Sequence, residues 1–273
     1  MREYREKFDV VGFTHARIDL ADFDELEETV SRVDFDLLIN CAALTNVDLC
    51  EEQPDQAFRV NAGAPELLAQ VCTNKRARLI HFSTDYVFDG EKREPYGEED
   101  PANPISVYGE SKREGEKLVL QTQDRHLVVR VSWVFGPDRP SFIDAVIKRA
   151  GENDYVDAIA DKFSTPTYTR DIAQMLPQFF DVDVRGGLLH FANAGECSWQ
   201  EYAQFALDSC HSLGIPLKAK TVSALKLADM KNWIARRPVY SVLSTEKFFS
   251  LTGTTPRNWR DAVADYVRKF LAR

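Results

Sequence analysis

Residues 79–85 read Leu-Ile-His-Phe-Ser-Thr-Asp, and the sequence changes character within this stretch. The short apolar run Leu79–Phe82 ends abruptly in Ser83, Thr84 and Asp85, as a buried strand does when it reaches the surface. In open parallel α/β sheets, ligands bind at the edge where the carboxyl ends of the strands emerge. The stretch therefore predicts a strand with a ligand site at its end.

Downstream of this strand, Tyr108 and Lys112 lie four residues apart, so on a helix they share one face. A nearby ammonium group favours the phenolate and lowers the pKa of a tyrosine. Such a tyrosine can give a proton to a carbonyl oxygen while a hydride reaches the carbon, and Thr84 can hydrogen-bond the same oxygen. The spacing alone equally describes a surface tyrosine and a solvated lysine. Its combination with the strand end favours the chemical interpretation.

Alternating strands and helices surround this stretch. The sequence predicts a strand at Val10–Thr14, a helix from the cap residue Asp22 to about Val33, and a nearly continuous apolar strand at residues 36–43. A helical region at 54–74 follows, before the strand at Leu79. This alternation predicts an α/β fold with a doubly wound, parallel, Rossmann-like sheet.

Length and charge narrow the function classes. The chain of 273 residues has 34 Lys and Arg against 43 Asp and Glu, a net charge of −9, which argues against general nucleic-acid or membrane-surface binding. The residues contain no apolar run of membrane-spanning length and no signal peptide, so a cytoplasmic protein is expected. The five cysteines form no metal-ligand cluster, no metal is expected, and Cys41 is expected to be buried.

The start of the chain differs from what a nucleotide-binding fold requires. Such a fold opens with a strand and a Gly-rich turn that receives the cofactor pyrophosphate, whereas Gly12 is isolated and no Gly-x-x-Gly-x-x-Gly occurs. Either the recorded start lies downstream of the natural one, or the segment has been omitted, or the protein lacks it. The first two are favoured, because Met1 falls where a helix is expected to be in progress. A real absence would weaken cofactor binding.

Four separated motifs occur in the order found in one family: His81–Phe88, Tyr108–Lys112, Ser132–Val134, and Ala235–Pro238 followed by Ser241. With these motifs the chain resembles the extended short-chain dehydrogenase/reductase family, and within it the dTDP-4-dehydrorhamnose reductases. The resemblance extends from about Val10 to the C-terminus.

The resemblance implies a cofactor, NADPH or NADH. The positions that match the family's cofactor contacts are Asp19, Leu20, Ala42, Ala43, Leu44, Phe82, Tyr108 and Lys112. Close packing is an equally good interpretation of Ala42 and Ala43. At the end of the second strand, where an acidic residue selects NAD, the chain has Thr14, with Arg17 beyond it. This favours NADPH, although Arg17 also suits a solvated loop.

The resemblance also implies a reaction, the reduction of the 4-keto group of a nucleotide-linked deoxysugar, first among them dTDP-4-dehydro-L-rhamnose. Thr84, Tyr108 and Lys112 are the expected catalytic residues; the expected substrate-binding residues are Thr84, Asp85, Tyr86, Trp133 and Arg237. A core tryptophan and a solvated arginine are the alternatives for the last two. Arg236, Arg237 and Ser241 are expected to contact the diphosphate.

Two further functions stay open. One is a non-catalytic regulatory or scaffold protein of the same fold, resembling the regulatory β subunit of methionine adenosyltransferase; the other is a reductase or epimerase of another sugar nucleotide. The expected partners are a nucleotide-sugar substrate and, as a possible homodimer, a second copy. The family resemblance implies a dinucleotide-binding domain at 1–140, N-terminally incomplete, and a smaller, mainly substrate-binding domain at 141–273, with a segment near 185–200 returning to the first domain.

Overall fold

The computed structural model describes residues 3–181 and 186–271. Within these ranges the α-helices are α1 Phe23–Ser31, α2 Val47–Glu52, α3 Pro54–Phe58, α4 Ala64–Asn74, α5 Val107–Thr122, α6 Phe142–Glu152, α7 Thr169–Met175, α8 Trp199–Ser212, α9 Glu246–Thr252 and α10 Trp259–Tyr266. The strands there are β1 Leu37–Asn40, β2 Arg78–Thr84, β3 Leu127–Val131, β4 Val134–Phe135, β5 Val156–Ile159, β6 Phe163–Ser164, β7 Thr167–Tyr168, β8 Gly187–His190, β9 Cys197–Ser198 and β10 Val222–Leu225. Single π-helical turns follow α3, at Arg59–Gly63, and α10, at Val267–Leu271.

The chain forms two compact units. The first comprises Met1–Ser83, Val107–Val129 and Leu176–Leu188, and the second comprises Thr84–Ser106, Arg130–Met175 and Leu189–Arg273. The predicted boundary at residue 140 concerns what each part binds, and it stays a prediction.

The first unit is built on a sheet with the strand order β1-β2-β3-β8. Strands β1 and β2 run parallel, with Leu37 opposite Arg78 and Asn40 opposite His81. Leu79 on β2 and Val128 on β3 are fully buried and share a core with Leu26 of α1 and with α4. Burial of this kind is expected where helices cover a parallel sheet, and it confirms the predicted fold class.

Polar side chains cap the first turns of several helices. The side chain of Asp22 accepts a hydrogen bond from the Glu25 backbone and caps α1, as predicted. Ser198 and Glu201 form a reciprocal capping box at the start of α8. The last helix begins at Trp259, and the side chain of Asn258 caps it by accepting a hydrogen bond from the Arg260 backbone.

The predicted strand at Val10–Thr14 is wrong. The segment belongs to no strand, and Val11 and Phe13 are exposed, so it buries no apolar face against the sheet. A strand needs a neighbouring strand for its backbone hydrogen bonds, and alternating residues alone do not supply one. The charged residues before it form a turn, in which the Lys7 and Phe8 backbones donate to the Tyr4 carbonyl.

Aromatic side chains form much of the core of the second unit. The rings of Phe135 and Tyr168 stack with centroids 5.1 Å apart, and Tyr266 of α10 meets Phe135 edge-on. Trp259 is fully buried against α8. The buried apolar side chains of α10 therefore serve core packing.

Among the residues that the structure describes, none of the helices combines the length and the apolarity needed to span a membrane.

Candidate active site

Tyr108 and Lys112 lie one turn apart on α5, and both are buried. The side chain of Lys112 is only 2% exposed, which excludes the solvated-lysine alternative, and Tyr108 is not an ordinary surface residue. The Lys112 amine donates a hydrogen bond of 2.7 Å to the backbone carbonyl of Phe82 on β2. Burial lowers the pKa of Lys112 to about 8, because a desolvated ammonium is disfavoured.

Behind Lys112 lies a chain of polar groups in the buried part of the sheet. Nε2 of His81 is 3.3 Å from the Lys112 amine, and Nδ1 of His81 is 3.1 Å from the Asn40 side-chain amide. The Asn40 oxygen accepts a hydrogen bond of 3.0 Å from the Ala42 backbone. Burial, with the nearby Lys112, lowers the pKa of His81 well below its ordinary value, so this imidazole is neutral.

The turn after β1 is held by a second asparagine, Asn61, in the π-helical turn before α4. Its oxygen accepts from the Leu44 backbone at 2.8 Å, and its amide donates to the Leu44 carbonyl at 3.0 Å and to Ser111 Oγ of α5 at 3.1 Å. Ser111 Oγ in turn donates to the Tyr108 carbonyl. One buried side chain thus fixes the turn against the helix that carries the Tyr108 and Lys112 pair.

The other predicted cofactor residues of the first unit are less buried than Lys112. Ala42 is exposed and Ala43 is half-buried, so close packing does not explain Ala42. Asp19 is exposed, with its carboxylate accepting from the Ala21 backbone, and Leu20 packs partly against the core. Cys41, expected to be buried, is exposed because it leaves β1 at the start of the turn.

In the second unit, the carboxylate of Asp85 is surrounded by hydroxyl groups. Asp85 directly follows β2 and is 2% exposed. Ser241 and Ser164 donate to its Oδ2 at 2.5 and 3.1 Å, and Thr84 donates to its Oδ1 at 3.1 Å. The Thr84 oxygen also accepts from the Tyr86 backbone. The Ser241 hydroxyl therefore donates to Asp85 inside the protein, and its expected contact with a diphosphate stays a prediction.

A buried cation, Lys162, completes this cluster. Its side chain is fully buried, its amine donates to the Pro238 carbonyl at 2.7 Å, and it lies 5.1 Å from the Tyr86 ring centre and 5.7 Å from that of Trp133. Such cation–π contacts are stronger when desolvated. Burial lowers the pKa of Lys162 to about 8, opposed by Asp85, and burial raises the pKa of Asp85, opposed by Lys162 and the three hydroxyls.

Trp133 has a strained backbone and an unsatisfied indole. Its φ of 38° is in the left-handed region, which bulky residues seldom occupy and which recurs at functional sites. Its ring stacks near Tyr202 and contacts Trp199, while its buried Nε1 has no hydrogen-bond partner among the described residues. Trp133 is half-buried, so it is both part of an aromatic cluster and accessible in part.

The two neighbouring arginines differ. Arg236 is exposed, whereas Arg237 is half-buried, donates to the Ala235 carbonyl at 2.8 Å and lies 4.7 Å above the Trp233 ring. Arg237 also precedes Pro238, whose carbonyl binds Lys162. Only Arg237 is held in a fixed position, as the prediction for this residue requires.

The structure brings the predicted residues together in two groups. Tyr108, Lys112 and Phe82 lie together in the first unit, and Thr84, Asp85, Tyr86 and Trp133 lie around Lys162 in the second. Sequence reasoning missed Asn40, His81, Asn61, Lys162 and Ser164. A polar residue inside the apolar run at His81 was an available signal, whereas a loop lysine such as Lys162 resembles any surface lysine.

Comparison with known proteins identifies the family. The family described as the RmlD substrate binding domain matches residues 2–272. The chain is 32% identical over 262 residues to the spore coat polysaccharide biosynthesis protein SpsK of Bacillus subtilis (strain 168), covering 96% of this chain and 89% of that protein. It is 36% identical over 261 residues to dTDP-4-dehydrorhamnose reductase of Mycolicibacterium smegmatis, covering 94% of this chain and 77% of that protein.

A solved structure is also similar over nearly the whole chain. The crystal structure of dTDP-4-dehydrorhamnose reductase from Bacillus anthracis str. Ames in complex with NADP has a TM-score of 0.89 at 27% identity, covering 97% of this chain and 92% of that one. This likeness confirms the Rossmann-like α/β class. With the match over residues 2–272, it shows that the chain belongs to the RmlD family of oxidoreductases, as the motifs around Thr84 and Tyr108 predict.

Proposed function

We propose that this protein reduces the 4-keto group of a nucleotide-linked deoxysugar with NADPH or NADH, converting dTDP-4-dehydro-L-rhamnose to dTDP-L-rhamnose. One observation carries the proposal: a buried lysine amine, held by the Phe82 carbonyl, lies one helix turn from the buried phenol of Tyr108. The names of the Mycolicibacterium smegmatis and Bacillus anthracis relatives, and the NADP in the latter's structure, support the substrate class and cofactor.

The turn after β1 in the first unit suits part of a dinucleotide, while the given sequence has no Gly-x-x-Gly-x-x-Gly to receive the pyrophosphate. The turn at Ala42 and Ala43 has small side chains, of which Ala42 is exposed, and the buried Lys112 amine lies behind it. We assign cofactor contacts to Asp19, Leu20, Ala42, Ala43, Leu44, Phe82, Tyr108 and Lys112. When bound, the cofactor supplies the hydride that reduces the carbonyl carbon.

In this scheme Tyr108 donates its phenolic proton to the carbonyl oxygen as the alkoxide forms. The charged form of Lys112 stabilises the resulting phenolate, because an ammonium nearby favours the ionised phenol. Thr84 hydrogen-bonds the same oxygen. Its hydroxyl proton points to Asp85 in the structure, so donation to the substrate requires exchange of that hydrogen bond.

Asp85, Tyr86, Trp133 and Arg237 are the proposed sugar-nucleotide contacts. Nε1 of Trp133, which has no hydrogen-bond partner in the part of the chain that the structure describes, is a donor suited to a sugar oxygen, since a buried N–H without an acceptor is costly. The guanidinium of Arg237, braced on Trp233, suits a diphosphate, to which arginine binds with two parallel hydrogen bonds.

The test is NADPH-dependent reduction of dTDP-4-dehydro-L-rhamnose by the wild-type chain, Tyr108→Phe and the control Tyr155→Phe. Tyr155 is 74% exposed, so its variant should match the wild type. Tyr108→Phe should lower kcat by about 10²-fold or more, the usual effect of losing a general acid. Full turnover by Tyr108→Phe would remove the proton donor. Absence of turnover in all three, with a stoichiometric enzyme partner recovered, would favour the regulatory alternative.

A further inference from the structure

The hydrogen-bond chain from Ala42 to Lys112 fixes where protons can lie. A backbone N–H can only donate, so the hydrogen bond from Ala42 requires that Asn40 present its oxygen there. The NH₂ group of Asn40, which can only donate, then faces Nδ1 of His81 at 3.1 Å. Nδ1 must therefore be unprotonated, and in a neutral imidazole the proton lies on Nε2.

This proton placement restricts Lys112. Nε2 of His81 lies 3.3 Å from the Lys112 nitrogen. If Lys112 were an ammonium, it could not accept a hydrogen bond from Nε2–H, because an ammonium has no lone pair. A neutral amine has two N–H groups and one lone pair. It can donate to the Phe82 carbonyl and accept from His81 at once, which satisfies the observed contacts.

We propose that His81 is a positioning residue whose tautomer follows the charge of Lys112, the Nε2–H form accompanying the neutral amine and the Nδ1–H form accompanying the ammonium. Charging Lys112 reverses the chain: Nε2 accepts from the ammonium, Nδ1–H donates, and the Asn40 amide turns its oxygen to His81. The Ala42 backbone then loses its acceptor. The charge of Lys112 is thereby coupled to the conformation of the turn after β1.

The other groups that face Lys112 permit this coupling. Glu116, one turn further along α5, accepts from Ser83 Oγ at 2.6 Å and from Arg113 at 3.0 Å, and its charge opposes the lowering of the Lys112 pKa by burial. Cys41 approaches from the turn after β1, and Tyr108 precedes Lys112 on its own helix. The lowered pKa of Lys112, caused mainly by burial, agrees with an amine that loses its proton near pH 8.

One consequence rests on the proposed function. The turn that contains Ala42 is assigned to the cofactor, so cofactor binding would shift the Lys112 charge through Asn40 and His81. The tautomer coupling itself needs no cofactor and no turnover. It can therefore be tested, and can fail, independently of the reductase activity.

The experiment is long-range ¹H–¹⁵N correlation NMR of the full chain with ¹⁵N-labelled histidine, which distinguishes the two tautomers. The five histidines are assigned with His81→Gln. Between pH 6.5 and 9.5, His81 should change from Nδ1–H to Nε2–H at the midpoint at which the ¹³Cε signal of Lys112 titrates. A tautomer that stays constant while Lys112 titrates, or an imidazolium at pH 6.5, would overturn the proposal.

Two variants provide a second measurement. An aspartate side chain offers only hydrogen-bond acceptors, so Asn40→Asp should keep His81 in the Nδ1–H form at every pH. It should also raise the Lys112 pKa by about one unit, which is a tenfold increase in the ratio of ammonium to amine at a given pH. The exposed His15 is the control, and His15→Gln should leave the Lys112 midpoint unchanged. An unchanged midpoint in well-folded Asn40→Asp would contradict the coupling.

Discussion

The hydroxyl of Ser241 donates a hydrogen bond of 2.5 Å to the carboxylate of Asp85, across 156 residues of sequence. This contact joins the segment after Pro238 to the end of β2. The same segment is bound by the Lys162 amine at the Pro238 carbonyl, so both a carboxylate and a lysine amine hold it. The buried Asp85 carboxylate and the buried Lys162 amine therefore anchor the segment that directly follows the proposed nucleotide contact Arg237.

The Asp85 and Lys162 pair should show energetic coupling. Removing one buried charge leaves the other uncompensated, so Asp85→Asn and Lys162→Met should each lower the free energy of unfolding by about 2–4 kcal/mol. The loss of unfolding free energy in the double variant should be smaller, by at least about 1 kcal/mol, than the sum of the losses in the two single variants. Urea unfolding measures all four proteins. The exposed pair Lys117 and Glu114, at 2.9 Å, is the control, with an expected coupling below about 1 kcal/mol. Simple additivity at Asp85 and Lys162 would count against a coupled pair.

The buried lysines should make stability depend on alkaline pH. The folded pKa of Lys162 is about 8 against 10.5 for the free side chain, so between these values the unfolded state binds more protons. Its contribution to the free energy of unfolding therefore rises with pH across this window and is reduced below pH 8. We expect the difference in the free energy of unfolding between wild type and Lys162→Met to grow by about 1–3 kcal/mol from pH 8 to 10. A flat difference would mean that Lys162 is solvated.

Arg237 should matter for the sugar nucleotide and Arg236 should not. Charge-assisted hydrogen bonds contribute about 1.5–3 kcal/mol each, so Arg237→Ala should weaken dTDP-L-rhamnose binding by roughly 10- to 100-fold. Arg236 is exposed, and Arg236→Ala is the matched control with near wild-type affinity. Calorimetric titration with dTDP-L-rhamnose gives both values. Equal losses in the two variants would point to a general charge effect instead of a specific contact.

Gly115 should resist substitution because of its position on α5. A Cβ there would overlap the backbone oxygen of Asn61, so Gly115→Ala should destabilise the protein by about 1–3 kcal/mol. Gly151 on α6 has nothing within 4 Å of the same added atom. Gly151→Ala should instead stabilise the protein by up to about 1 kcal/mol, as expected for alanine in a helix. Thermal unfolding of both variants checks this, and similar shifts would show that α5 can move away from Asn61.

Features that depend on neighbouring residues could be predicted from the sequence. The cap at Asp22, the strand that ends at Thr84 and the helix of Tyr108 and Lys112 follow from short-range hydrogen bonding and periodicity. The predicted strand at Val10 failed because a strand also requires a partner strand, which no local pattern specifies.

The buried polar groups of the site could not be predicted for the same reason, because their partners are distant in sequence. Lys162 meets Pro238, and Asn61 meets Ser111, over long sequence separations. Their burial depends on how distant segments pack, and a loop lysine or a helix asparagine carries no sign of it. Ser241 is a further example, since its hydroxyl donates to Asp85 across 156 residues of sequence.

The hydrogen bonds of the Asn61 side chain restrict which amino acids can replace it. Its side chain uses its oxygen for the Leu44 N–H and both amide hydrogens for the Leu44 carbonyl and Ser111, all without exposure to solvent. Aspartate lacks the donors, glutamine is one methylene longer, and aliphatic residues offer neither function. Saturation mutagenesis with selection for folded protein should therefore return asparagine alone, so that this codon tolerates only synonymous change.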